Sequence, residues 1–344
     1  MKRTLLATIV AVLAALSVSA CSSAADNSSA PSSAASAPSE TVGDSPGPTA
    51  VPDGMGSGVA DAVFPRTVTH FAGSTDIASE PRKIVVIATG QLDAVLTLGV
   101  VPTGVAYGDG ASLVPDYVAR SFPQYDDEMA SFVDVGNRQD VNLEAIATIQ
   151  PDLILANKAA SEENYPLLSA IAPTVLTEGT GVNWKQDFLL LADALGRTDQ
   201  AQQFVDDFVD RAHDLGASVA SATPTVSFVR FTADRARVFG VPSFAGFIAW
   251  DAGLARPESQ QFDKTSQDFS EEQMHLANAD WVFASSQASE SGSTSDTSTT
   301  NPLWTGMSAA LENHVVTVED DPWYLNAGPT AATIVLDGLT ESLT

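Results

Sequence analysis

Arginines are the side chains best placed to do chemistry in this chain, because cations are so scarce. The 344 residues carry 16 Lys and Arg against 43 Asp and Glu, a formal charge of −27. Beyond position 211 only five cations remain (Arg230, Arg235, Arg237, Arg256, Lys264), and three of them fall within eight residues. Such clustering in so acidic a chain marks a local need for positive charge. A guanidinium offers planar, paired donors to ligand oxygens and a flat face for stacking. Arg230, which closes the apolar run Val226–Val229, suits a binding cleft and an open surface equally well; Arg235 reads as decoration of an exposed turn. Trp323 and Tyr324 follow three acids and a proline, where neither periodicity nor core-building asks for an aromatic. They read as walls for a ligand, and Trp184 is comparable. Trp250 and Trp281 read as core, and Trp304 stays undecided between the two.

Several chemistries are disfavoured from the same inventory. A single Cys excludes an intramolecular disulfide and a Cys-based zinc cluster, and four scattered His (70, 213, 275, 314) do not make a metal site. No Gly-x-Ser-x-Gly elbow follows a strand and no acid–His pair has metal-ligand spacing, so a secreted hydrolase is a weak reading and no catalytic residue or cofactor is expected. A surface this acidic repels phosphate backbones, which argues against a nucleic-acid partner.

The elements that must carry these residues have an α/β pattern. Arg82–Ile87 is an apolar run suited to a buried parallel strand, Gln91–Leu98 has helical spacing closed by Gly99, and Val100–Ala106 starts the next strand. Asn142–Ile149 predicts a short helix stopped before Pro151, followed by the strand Leu153–Leu155. The stretch Asn142–Ala156 then lines up with Ser270–Ala284: a capping residue, Glu144 with Glu272, Asp152 with Asp280, and an apolar triplet coincide. A weaker echo pairs Leu92–Pro102 with Gly246–Pro257. The two echoes predict two related lobes. Between them, Ala201, Phe204, Val205, Phe208, Val209, Ala212 and Leu215 recur at steps of three and four from a Thr198 cap. Some 22 helical residues within the bridging segment 198–222, at 1.5 Å each, make a rod of roughly 33 Å. The expected fold is therefore α/β, with two Rossmann-like lobes of parallel sheet (63–197 and 223–344) joined by one long helix.

The amino terminus reads differently. Lys2 and Arg3 precede an apolar run of 12 residues, Leu5–Leu16, which has the length of an export signal rather than a membrane span. Val18-Ser19-Ala20-Cys21 resembles a bacterial lipobox, which implies a signal peptide over 1–20, lipidation of Cys21 and anchoring on the extracytoplasmic face of the cell membrane. Residues 21–62 are rich in Ser, Ala, Pro and Gly and contain no Lys or Arg, the composition of a disordered tether spanning roughly 35 Å. A second Ser/Thr-rich tract, 285–300, reads as a mobile surface insertion.

In the folded part, the order and spacing of several segments resemble the substrate-binding lipoproteins of ABC importers for iron–siderophore complexes, relatives of cobalamin-binding proteins. These segments are Pro81–Ile87, Leu92–Val105, Asp134–Arg138, Asn142–Leu155, Ile171–Leu176, Arg237–Gly240, Ser243–Gly246 and Asn301–Trp304. The resemblance implies a ligand cleft between the lobes and a cargo whose iron is already wrapped by its own oxygens. Cobalamin and haem are the alternatives within the same fold. Ligands of open parallel sheets lie beyond the strands' carboxyl ends. On that basis the cleft residues implied are Arg230, Arg138, Trp323, Tyr324, Trp184, Tyr107, Gln91, Ser243 and Phe244. The resemblance also places Glu144 and Glu272 where the family docks each lobe on a permease dimer, although both glutamates equally suit the first turn of a helix. The chain is expected to act as a monomer.

Overall fold

The computed structural model describes residues 49–108, 111–179, 181–232, 235–286 and 301–344. The signal, Cys21 and the greater part of the tether lie outside the described residues, as does most of the 285–300 tract. Its first two residues, Ser285 and Ser286, end a strand, and Ser285 is buried.

Two sheets form the body. The first contains β3 (Ile84–Val86), β4 (Gly104–Tyr107), β5 (Val133–Asn137), β6 (Asp140–Val141), β7 (Leu153–Asn157) and β8 (Thr174–Thr177), in the order β6-β5-β4-β3-β7-β8. All are parallel except β6, which folds back on β5. A small hairpin, β1 (Arg66–His70) with β2 (Gly73–Ile77), precedes it. The second sheet runs β11-β10-β9-β12-β13, from β9 (Val226–Phe231), β10 (Ala236–Phe239), β11 (Ser266–Phe269), β12 (Trp281–Ser286) and β13 (Val315–Thr317). β9, β12 and β13 pair in parallel, whereas β10 pairs antiparallel with both β9 and β11. This corrects the expectation of an all-parallel second sheet. The physical reason is the short link between Phe231 and Ala236, which allows a hairpin and no crossover.

The two lobes are built alike where the sequence echoes itself. Asp152, at the start of β7, accepts the Arg82 and Lys83 amides (2.9 and 3.0 Å) ahead of β3; Asp280, at the start of β12, accepts the Thr225 amide (2.7 Å) ahead of β9. In each case a carboxylate sets the entry of the neighbouring parallel strand. The helices α1 (Gln91–Thr97) and α5 (Phe244–Asp251) also end in the same motif. Gly99 and Gly253 are left-handed, and Val100 N–H bonds the Val95 carbonyl as Leu254 N–H bonds that of Ala249 (2.8 and 2.9 Å). Asn142 caps helix α2 (Leu143–Ile149), placing exposed Glu144 in its first turn. Ser270 and Gln273 form a capping box at Glu271–Ala277, with exposed Glu272 in the first turn, although that element winds as a 3₁₀ helix with a kink at Gln273.

Helix α3 (Trp184–Leu195) leads into the bridging helix α4 (Thr198–Val219), whose buried face is Ala201, Val205, Phe208, Ala212, Leu215 and Val219. The expected Thr198 cap is not what closes its start. Thr198 is the first helical residue, and the Thr198 and Asp199 amides are taken by Asp61 (2.7 and 2.9 Å). Asp61 belongs to a strap, residues 49–62, that composition had assigned to the tether. Here Gly56 pairs with Thr69, and Ser57 donates to the Asp193 carboxylate (2.5 Å from the amide, 2.6 Å from the hydroxyl). Arg66, its side chain fully buried, bonds the same carboxylate at 3.2 Å. A Gly/Ser-rich segment has no core of its own to bury, so only partners far along the chain can order it.

Two buried polar contacts tie the lobes. Asp93 of α1 accepts the Thr330 and Ala331 amides (3.0 and 2.9 Å) at the start of the C-terminal helix α6 (Pro329–Leu343). Lys185 of α3 reaches both oxygens of Asp251 in α5 at 2.8 Å, with the two side chains 1% and 0% exposed. Burial lowers the Lys185 pKa and Asp251 raises it again. Breaking such a pair strands a charge, whereas removing both charges does not. Lys185→Met should therefore cost about 3–5 kcal/mol in urea unfolding, and Lys185→Met with Asp251→Leu should recover to within about 1 kcal/mol of the parent.

Candidate functional site

A cleft of about 890 Å³, counting its open mouth, lies between the lobes. Its first-lobe wall comes from the loop after β3 (Thr89, Gly90) and the first residue of α1 (Gln91), the ends of β7 and β8 (Asn157, Thr177) and the start of α3 (Trp184, Asp187, Phe188). Its second-lobe wall is Phe239, Ser243 and Phe244 together with Trp323, Tyr324 and Asn326. A hollow of about 520 Å³ adjoins it, sharing Thr89, Gly90 and Asn326 and adding Tyr107 and Arg138. Gly90 is left-handed (φ 84°), and a Cβ there would meet the Ala327 carbonyl at 2.8–2.9 Å, so the two lobes touch backbone to backbone at the cleft floor.

The structure thus brings eight of the nine expected ligand residues to one place and sorts them by what their polar atoms are doing. Three are committed to the architecture. The Gln91 amide donates to the Ala156 carbonyl (2.8 Å) and accepts from the Ala88 amide (3.1 Å). Ser243 caps α5, its hydroxyl donating to the Gly240 carbonyl (2.7 Å) and accepting from Gly246 N–H. The Tyr324 hydroxyl donates to the Phe283 carbonyl (2.7 Å) and accepts from the Val229 amide; burial pushes its pKa well up. Trp323 is 3% exposed and stacks on Phe283 at 5.2 Å, so it is the cleft's backing as well as its lining.

Others keep capacity for a ligand. The Trp184 ring packs edge-on against Phe208 and Phe244, but its Nε1–H is buried without a partner in the structure. Arg138 donates through Nη1 to the Thr89 hydroxyl (3.3 Å), while its Nε–H is likewise buried and unpartnered. Buried donors left unsatisfied are costly, and an acceptor-rich ligand relieves that cost. Phe244 and Tyr107 add ring surface.

Arg230 is the exception. It lines neither cavity. Its guanidinium forms a fork on Asp320 (2.7 and 2.8 Å), and the Ser285 hydroxyl donates to the same carboxylate at 2.6 Å. Because β10 reverses direction, the ends of β9 and β10 point opposite ways, which parts Arg230 from Ser243 and Phe244.

Among the lining residues that escaped the sequence reading, Phe239 and Asp187 carry the most structure. Phe239 packs on Tyr324 at 4.7 Å. Asp187 accepts the Glu178 and Gly179 amides at 2.9 and 2.7 Å. Its spacing of three from Trp184, which places both on one helix face, was the available signal.

An α/β body of two lobes with a cleft between them, lined by aromatic rings and bordered by a few unsatisfied donors, has the build of a solute-binding protein. Residues 84–322 match the periplasmic binding protein family, and the chain belongs to it. A probable siderophore-binding lipoprotein of Bacillus subtilis, YfiY, is 33% identical over 287 residues, covering 80% of this chain and 86% of its own. The Fe(3+)-citrate-binding protein YfmC of the same organism is 26% identical over 272 residues, covering 78% and 82%. Among solved structures, Staphylococcus aureus SirA complexed with staphyloferrin B superimposes with a TM-score of 0.70 at 26% identity, covering 80% of this chain and 98% of that one.

Burial pushes the Asp187 carboxyl from 3.8 up to about 7, against the two amides that favour its charge. Between those values the folded protein holds a proton that the unfolded chain has released. This group's contribution to stability is therefore full below about pH 4 and is lost as the pH rises through 7. Asp187→Asn should flatten that part of the slope when urea midpoints are compared from pH 4 to 8; an unchanged slope would count against the assignment.

Proposed function

We propose that the protein captures a ferric siderophore outside the cytoplasm and delivers it to an ABC importer, as a binding protein without catalysis of its own. The observation that carries this reading is the family membership joined to the cleft: the relatives named above bind siderophores or ferric citrate, and the cleft offers apolar rings and spare N–H donors. A chelated iron needs no ligand from the protein, so rings and donors suffice. Arg138, Trp184, Phe244 and Tyr107 carry the recognition, Trp323 and Phe239 back the wall, and Gln91, Ser243 and Tyr324 hold its shape. Arg230 acts through Asp320 on the segment that bears Trp323 and Tyr324.

Delivery assigns Glu144 and Glu272 to docking on a permease dimer. Support for this comes from their exposure and from their equivalent places ahead of the two strand-setting aspartates, Asp152 and Asp280. Anchoring through lipidated Cys21 keeps a monomer within reach of that permease, in keeping with the lipoprotein name of YfiY.

The test is uptake of iron supplied as its siderophore. Cells lacking the protein should lose uptake and regain it with the parent gene. Glu144→Arg with Glu272→Arg should restore none, although the purified variant binds cargo as tightly as the parent. Normal uptake by the double variant would remove the docking assignment, and full uptake by the deletion strain would remove the function.

A further inference from the structure

The reading above leaves the class of siderophore open, and the charge inventory of the cleft narrows it. We propose that the cleft selects ferric hydroxamates, neutral or singly charged, over the multiply anionic ferric catecholates and ferric citrates; this rests on the siderophore-capture reading.

Three dianionic catecholates leave ferric iron a trianion, whereas three monoanionic hydroxamates leave it neutral. A site for the trianion needs several cations that are not already balanced by protein carboxylates. Among the described residues lining the cleft and its adjoining hollow, one side chain is cationic, Arg138, and one is acidic, Asp187. Three cations outside the lining each face a carboxylate. Arg230 is held by Asp320 (2.7 Å), Arg237 by Asp268 (2.8 Å) and Lys158 by Glu162 (3.8 Å). With one cation set against one acid, the described lining has no excess of positive charge to draw in a polyanion.

The same walls suit a neutral complex. Its chelating oxygens are partial acceptors, and two residues of the lining, Arg138 and Trp184, each hold a buried N–H without a protein partner (Nε–H and Nε1–H). The rest of its surface is hydrocarbon, for which Phe239, Phe244 and Trp323 provide contact. Directional neutral hydrogen bonds and apolar area favour a neutral ligand; they do not compensate three negative charges.

The test is titration of tryptophan fluorescence in the full-length chain, purified in detergent, against ferrichrome, ferrioxamine B, ferric enterobactin and ferric citrate at low and high salt. A ferric hydroxamate should bind at least about tenfold more tightly than either anionic complex, equivalent to about 1.4 kcal/mol. Raising the salt should strengthen the weak enterobactin signal by screening repulsion and leave ferrichrome unchanged. An anionic complex that binds as tightly as both hydroxamates, or whose affinity does not rise with salt, overturns the selectivity while leaving siderophore capture standing. Quenching by none of the four overturns capture itself, and the selectivity with it.

Discussion

The cleft depends on one buried carboxylate. Asp93 is 1% exposed, and its oxygens accept two amides from the first turn of the C-terminal helix, with the Tyr117 hydroxyl at 3.2 Å and the Thr97 hydroxyl at 3.2 Å completing the shell. Burial pushes its carboxyl up, and the hydrogen bonds from Thr330, Ala331 and Thr97 pull it back. A helix start presents amides that no intrahelical carbonyl satisfies, so a carboxylate there satisfies donors and meets the positive end of the dipole together. Gly328, just before that helix, has no room for a Cβ because Asp93 occupies the space. The residues flanking this contact, Gly90 and Gln91 on one side, Asn326 and Ala327 on the other, are the cleft floor.

With the floor fixed, the other ties have a simple geometric role. The Lys185–Asp251 pair clamps α3 to α5 beside Trp184 and Phe244, so the two walls that face each other across the cleft are joined at their base. The bridging helix lies against both α3 and α5. Gly216 shows how close that packing is: a Cβ there would run into the Ala252 carbonyl.

A division of labour among polar groups follows. Gln91, Ser243 and Tyr324 looked like ligand contacts because they sit on the right loops, yet each spends its hydrogen bonds on neighbouring backbone. Arg138 and Trp184 keep a donor in reserve. Composition cannot separate the two cases, since the difference is whether a carbonyl from another strand lies within 3 Å.

Much of this protein was written locally. Apolar runs, helical spacing, the capping Asn142 and Ser270, and the left-handed Gly99 and Gly253 are decided by residues a few positions apart, and the long helix by its own periodicity. The self-echo carried real content, because Asp152 and Asp280 perform the same strand-setting task in both lobes. The short link from Phe231 to Ala236 also contained the hairpin that reverses β10. What no local pattern could supply was pairing at a distance: Asp61 capping a helix from the other end of the lobe, Asp93 holding the C-terminal helix, Asp320 taking up Arg230, Asp187 sinking into the cleft wall. Hydrogen bonds and ion pairs act over a few ångströms, so which acid meets which donor is settled only when the chain has brought them together.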